Sequence, residues 1–127
     1  MQKDIRRCEQ IYYTAHITDY EIVTNTNEAY TVYIIRVQSK KTSWNVKRRF
    51  SDFFTLKQDL VRTSQNVSKY PFPSKVIFGS NFSLKLIETR KKCLNSFLHN
   101  ILGDPQLWHR NEISTFLNKE VFILINI

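Results

Sequence analysis

Glycine is nearly absent from this chain: Gly79 and Gly103 are the only two in 127 residues. That leaves nothing to build a glycine-rich phosphate loop or a dinucleotide fingerprint. Cysteine is as scarce, with Cys8 and Cys93 far apart and neither beside a second metal-ligating residue. A disulfide framework and a zinc site are both excluded, and free thiols in a reducing, cytoplasmic setting are expected. His16, His99 and His109 lack metal spacing and have no nucleophile beside them in sequence. His16 reads as a strand-face residue and His109 as a surface one. Acidic residues number only 11, with no pair set for acid–base work, so the expectation is no enzyme, no cofactor and no metal. No apolar stretch reaches the roughly 20 residues a membrane span requires. The terminal VFILINI reads as a packed end or a truncation point inside a larger protein, and no signal peptide is evident.

What is present is positive charge and aromatic mass. Nineteen Lys and Arg against 11 Asp and Glu give a net charge of +8, and aromatics make up 13% of the chain. The first property calls for an anionic partner: nucleic acid, a membrane surface or an acidic protein. The second, with 42% apolar residues, supports a folded core. The length suits one domain over 1–127, with a core of about 11–119.

Periodicity orders the elements. IYYTAHIT (11–18) sets Ile11, Tyr13, Ala15 and Ile17 against polar neighbours, the alternation of a half-buried strand that continues through Tyr20, Ile22 and Val23. TNTNE makes a turn, AYTVYIIRVQ (29–38) reads as the middle strand, and SKKT returns the chain into SWNVKRRF (43–50). Ser51 is the expected N-cap of a helix over about 52–64 that buries Phe53, Leu56 and Leu60. A second helix carries the stripe Ile87, Leu94, Phe97, Leu98, Ile101 and Leu102 and stops at Gly103. A last short helix is expected around 111–119. Between the two main helices runs an aperiodic stretch in which Pro71 and Pro73 stiffen Tyr70–Lys75 toward polyproline II. The fold class is α+β: a three-stranded antiparallel meander, then a helical subdomain with a proline-rich loop between its main helices.

The end of the third strand carries the chemistry. Parity puts Trp44, Val46, Arg48 and Phe50 on one face, with Trp44 and Val46 toward the core, and Asn45, Lys47 and Arg49 on the other. An arginine there offers a fork of donors matched to two phosphate oxygens, and Phe50 beside it is an aromatic ring at the same junction. Either these form a phosphate pocket with an aromatic floor, or Phe50 is core and the arginines are solvated. Basic–aromatic interleaving keeps nucleic-acid binding open as an alternative, and Arg90, Lys91 and Lys92 with the sheet edge keep protein–protein interaction open.

Four segments in order, AYTVYIIRV, KRRFSDF followed by Leu56, PFPSKVIFG and LIETRKKCLNSFLHNIL, resemble the PX (phox homology) domain, a phosphoinositide-binding module of sorting nexins and related trafficking proteins. The resemblance runs from about Tyr13 to Leu117. It implies that Arg49 takes the 3-phosphate of phosphatidylinositol 3-phosphate, that Phe50 packs under the inositol ring, that Lys75 meets the 1-phosphate and that Arg90 bonds the 4- and 5-hydroxyls. Arg48 falls where the family has a basic residue serving structure. Ser74 departs from a full PxxP, so the motif read by proline-binding adaptors is incomplete. Val76, Ile77 and Phe78, directly after Lys75, are apolar residues placed to enter lipid, Ile77 foremost. The implied protein is a monomeric, peripheral module on endosomal membranes whose partners are the lipid, an anionic surface and a further protein, not nucleic acid.

Overall fold

The computed structural model describes residues 13–25, 27–75 and 82–118. Three strands, β1 (Thr14–Thr24), β2 (Ala29–Gln38) and β3 (Ser43–Arg49), form one antiparallel sheet in the order β1-β2-β3. AYTVYIIRVQ is the middle strand, as its β-branched and aromatic content on both faces requires. Among the described residues three helices follow: α1 (Phe50–Val61), α2 (Leu84–Leu102) and α3 (Asn111–Leu117), with 3₁₀ turns at Gln65–Lys69 and Pro105–Leu107. The expected α+β architecture is the one found.

One face of the sheet is covered by helices. Ala15 and Ile17 of β1, Tyr33, Ile35 and Val37 of β2, and Val46 of β3 pack against Phe53, Leu56 and Leu60 of α1 and the α2 stripe. Each large side chain fully buried there contributes roughly 1.5–3 kcal/mol by removal from water. The period-two expectation for β1 breaks at a bulge between Ile17 and Asp19, and beyond it the sheet register shifts. Beside the bulge, the Ile17 N–H donates to Asn95 Oδ1 at 2.8 Å, which ties α2 to β1.

Three local expectations need correction. Helix α1 starts at Phe50 rather than 52 and ends at Val61 rather than 64, and its N-cap is Arg49, not Ser51. The reason is Asp52: one residue into the helix from Ser51, its carboxylate reaches back to the Arg49 N–H at 2.8 Å and closes the first turn earlier than a serine cap would. The stretch between the main helices is also less irregular than expected, because Gln65–Lys69 forms a 3₁₀ turn around the buried Val67. At the end of α2, the Gly103 N–H bonds the His99 carbonyl at 3.0 Å. A Cβ at Gly103 would sit 3.2 Å from that same oxygen, tighter than ordinary contact.

Candidate functional site

Three elements converge where β3 becomes α1. Arg49, the last residue of β3, is exposed on the face away from the core, as strand parity requires. Its guanidinium lies 3.9 Å above the ring of Tyr30 on β2. Phe50 opens α1 and packs against Phe54 one turn on (6.4 Å, nearly parallel) and Phe72 of the proline-rich segment (5.7 Å). From the first half of α2, Arg90 lays its guanidinium 3.9 Å over the Phe50 ring and donates to the Ser74 carbonyl at 3.4 Å. Between them is a cavity of about 210 Å³ lined by Tyr30, Tyr33, Arg49, Phe50, Phe82 and Arg90, with no acidic residue among its described lining.

Arg90 is strained electrostatically. Its Nε is buried with no hydrogen-bond partner among the described residues. Desolvation holds its pKa below the ordinary arginine value, with the neighbouring Tyr33 phenol pulling the other way. Tyr33 in turn is only 1% exposed, and burial pushes its phenol upward while Arg90 opposes that shift. A buried donor without an acceptor costs on the order of 1–3 kcal/mol.

The proline-rich segment is held from below. Asp104, buried at 7% exposure, accepts from the Tyr70 hydroxyl at 2.8 Å and from the Gln106 N–H at 3.0 Å. Tyr70 therefore starts the segment at a fixed place, and Phe72 turns inward onto Phe97 at 5.0 Å, edge to face. Lys75 follows, exposed, with its ammonium 4.6 Å from the Phe54 ring. So the structure brings Arg49, Phe50 and Arg90 to one cavity, and sets Lys75 beside it on the next ring rather than on its lining. Phe50 carries Arg90 over its ring and also lines the cavity. Val76, Ile77 and Phe78 lie outside the described residues.

Arg48, one residue earlier, is committed elsewhere. Its Nε donates to the Phe116 carbonyl at 2.9 Å, and its terminal nitrogens reach the carbonyls of Lys47 (2.8 Å) and Asn118 (3.3 Å). With the Trp44 Nε1–H bonded to the Leu117 carbonyl at 2.7 Å, it fastens the end of α3 to β3. Residue-by-residue reading missed Tyr30, Phe54 and Phe72. Tyr30 had a signal: it shares parity with Val32, the register partner of Arg49, so the two lie diagonally on one sheet face.

Known proteins resemble this chain in sequence and in fold. The PX domain family model matches residues 36–120, more than half of the chain. Sorting nexin-3 of Schizosaccharomyces pombe is 36% identical over 106 residues, covering 83% of this chain and 68% of that protein. The serine/threonine-protein kinase Sgk3 of Rattus norvegicus is 31% identical over 91 residues, covering 72% of this chain but 18% of the kinase. Sorting nexin-3 of Yarrowia lipolytica is 39% identical over 90 residues, 71% of this chain and 53% of that protein. The chain thus spans about half or less of several relatives. A designed CISK-PX domain superposes with a TM-score of 0.72 at 26% identity, covering 84% of this chain and 99% of that one. On the family model and these relatives together, the chain belongs to the PX domain family.

Proposed function

We propose that this domain captures the headgroup of phosphatidylinositol 3-phosphate and so recruits its protein to endosomal membranes, without catalysis. Family membership with sorting nexins among the relatives supports a phosphoinositide-binding module of membrane trafficking. The observation that carries the finer reading is the shared cavity: two guanidiniums from distant parts of the chain meet there with no carboxylate among its described lining. In this reading Arg49 forks onto the 3-phosphate, and Arg90 turns its orphaned donor toward ring hydroxyls, with Phe50 against the inositol and Lys75 on the diester at the cavity's edge.

Charge-assisted bonds contribute about 1.5–3 kcal/mol each before ordering costs, so headgroup capture alone gives modest affinity. Val76, Ile77 and Phe78 supply the second contribution by entering lipid, roughly 1.5–3 kcal/mol for a fully buried side chain. No helix among the described residues is long and apolar enough to span a bilayer, in keeping with peripheral attachment. Against the nucleic-acid alternative, Tyr33 lies in the core and Trp44 packs against that core, so these two sheet aromatics serve folding rather than base stacking.

The test is a liposome series. The isolated chain is expected to sediment with vesicles containing phosphatidylinositol 3-phosphate in preference to the 4-phosphate or neither, with Arg49→Ala removing most binding. A folded Arg49→Ala that binds as well as the parent contradicts the site. Ile77→Asp is expected to weaken vesicle binding and spare the soluble headgroup. Equal loss in both assays would give the loop a pocket-shaping role instead.

A further inference from the structure

We infer that Tyr30 is the positioning residue for Arg49: its ring face holds the guanidinium so that the fork already points into the cavity before any phosphate arrives. This rests on the proposed function above and adds a residue to it. Three observations support it. The Arg49 guanidinium sits 3.9 Å above the Tyr30 ring, as close as the Arg90–Phe50 stack. Tyr30 and Arg49 line the same cavity. Among the described residues, Tyr30 is half-buried yet takes no part in the apolar core cluster or the rings packed around it, so core packing there does not account for its ring.

The physics favours a ring over a carboxylate at this place. An arginine side chain has many rotamers, and freezing one on binding opposes affinity. A carboxylate would freeze it too, but would compete with the incoming phosphate for the same donors. An aromatic face attracts the cation through its quadrupole and leaves the N–H groups of the guanidinium edge free to bond. The backbone at Arg49 is already fixed, since its own N–H is bonded to Asp52. Ring and cap together leave the side chain little to lose.

The test is a double-mutant cycle on the soluble headgroup inositol 1,3-bisphosphate, followed by calorimetry, with circular dichroism to verify folding. Tyr30→Leu is expected to weaken binding about three- to tenfold, the range of one partly exposed cation–π contact. Tyr30→Phe keeps the face and is expected to bind as the parent does. In an Arg49→Ala background, Tyr30→Leu is expected to have no further effect. Should Tyr30→Leu lower the folded fraction, Tyr30→Thr, a good strand former, takes its place in the cycle. Equal losses from Tyr30→Leu with and without Arg49 overturn the positioning role while leaving the site intact. Loss in Tyr30→Phe equal to that in Tyr30→Leu overturns it too, by assigning the effect to the hydroxyl. Parent-like binding by Arg49→Ala overturns the site itself and this inference with it.

Discussion

Arg48 and Arg49 are adjacent in sequence and belong to two different regions of the molecule. Arg48 points to the helix side, where backbone carbonyls of Phe116, Lys47 and Asn118 take its donors. The groove around it, between α1 and α3, also holds Asp52, Asp59 and Glu112, and with Arg62 paired to Asp59 and Arg110 to Glu112 the charge is balanced there. Arg49 points to the other side, into a cavity whose described lining carries two cations and no carboxylate. One region spends its charge on holding the fold together. The other leaves its donors for a partner, and the two are separated by a single step of strand pleat.

Substitutions can break this contrast, beginning with the largest effect. Arg49→Ala should weaken binding of soluble headgroup by about 3 kcal/mol, roughly a hundredfold, with the thermal midpoint nearly unmoved. Calorimetry and a melting curve on the same sample check both halves. Arg48→Ala should do the reverse. Losing its charge-assisted bonds to carbonyls should cost about 2–3 kcal/mol of stability, read by urea denaturation, while the folded fraction binds as before. If Arg48→Ala cut affinity and spared stability, the division between the two regions would be wrong.

Smaller effects sharpen the picture. Tyr70→Phe removes the bond to buried Asp104 at the base of the proline-rich segment and should cost about 1 kcal/mol of stability by urea denaturation. Smallest is a pH effect confined to the balanced region. Hydrogen bonds from Arg110 at 2.8 and 3.1 Å, and then one from the backbone, hold the Glu112 carboxyl below its ordinary value. A depressed carboxylate contributes stability above its unfolded pKa, about 4.3, and loses it as pH falls through the lower folded value. The acid limb of stability should therefore flatten slightly in Glu112→Gln, with headgroup binding near neutral pH unchanged.

Much of this was legible in the sequence because it depends on periodicity. The middle strand announced itself through AYTVYIIRVQ, the long helix through its apolar stripe, and Arg49 through the parity of SWNVKRRF. What was not legible depends on contacts across sequence distance. The β1 bulge depends on no pattern within IYYTAHIT, and its neighbour Ile17 bonds Asn95, 78 residues away. The start of α1 turned on whether Ser51 or Asp52 won the competition for the first turn, and a carboxylate at the third helical position won. The pairing of Arg90 with Phe50, and of Lys75 with Phe54, follows from how the proline-rich segment packs, which Tyr70 and Asp104 decide from opposite sides of α2 in sequence. The family resemblance named the candidate residues, but their arrangement, with a ring under each of three cations, came only from the fold.

The most direct test of the central claim is a titration of ¹⁵N-labelled protein with inositol 1,3-bisphosphate, following the arginine Nε–H resonances. The account predicts that Arg49 and Arg90 shift together and saturate at one ligand concentration while Arg48 stays still. Movement of Arg48 with Arg49 and Arg90 unmoved would contradict it.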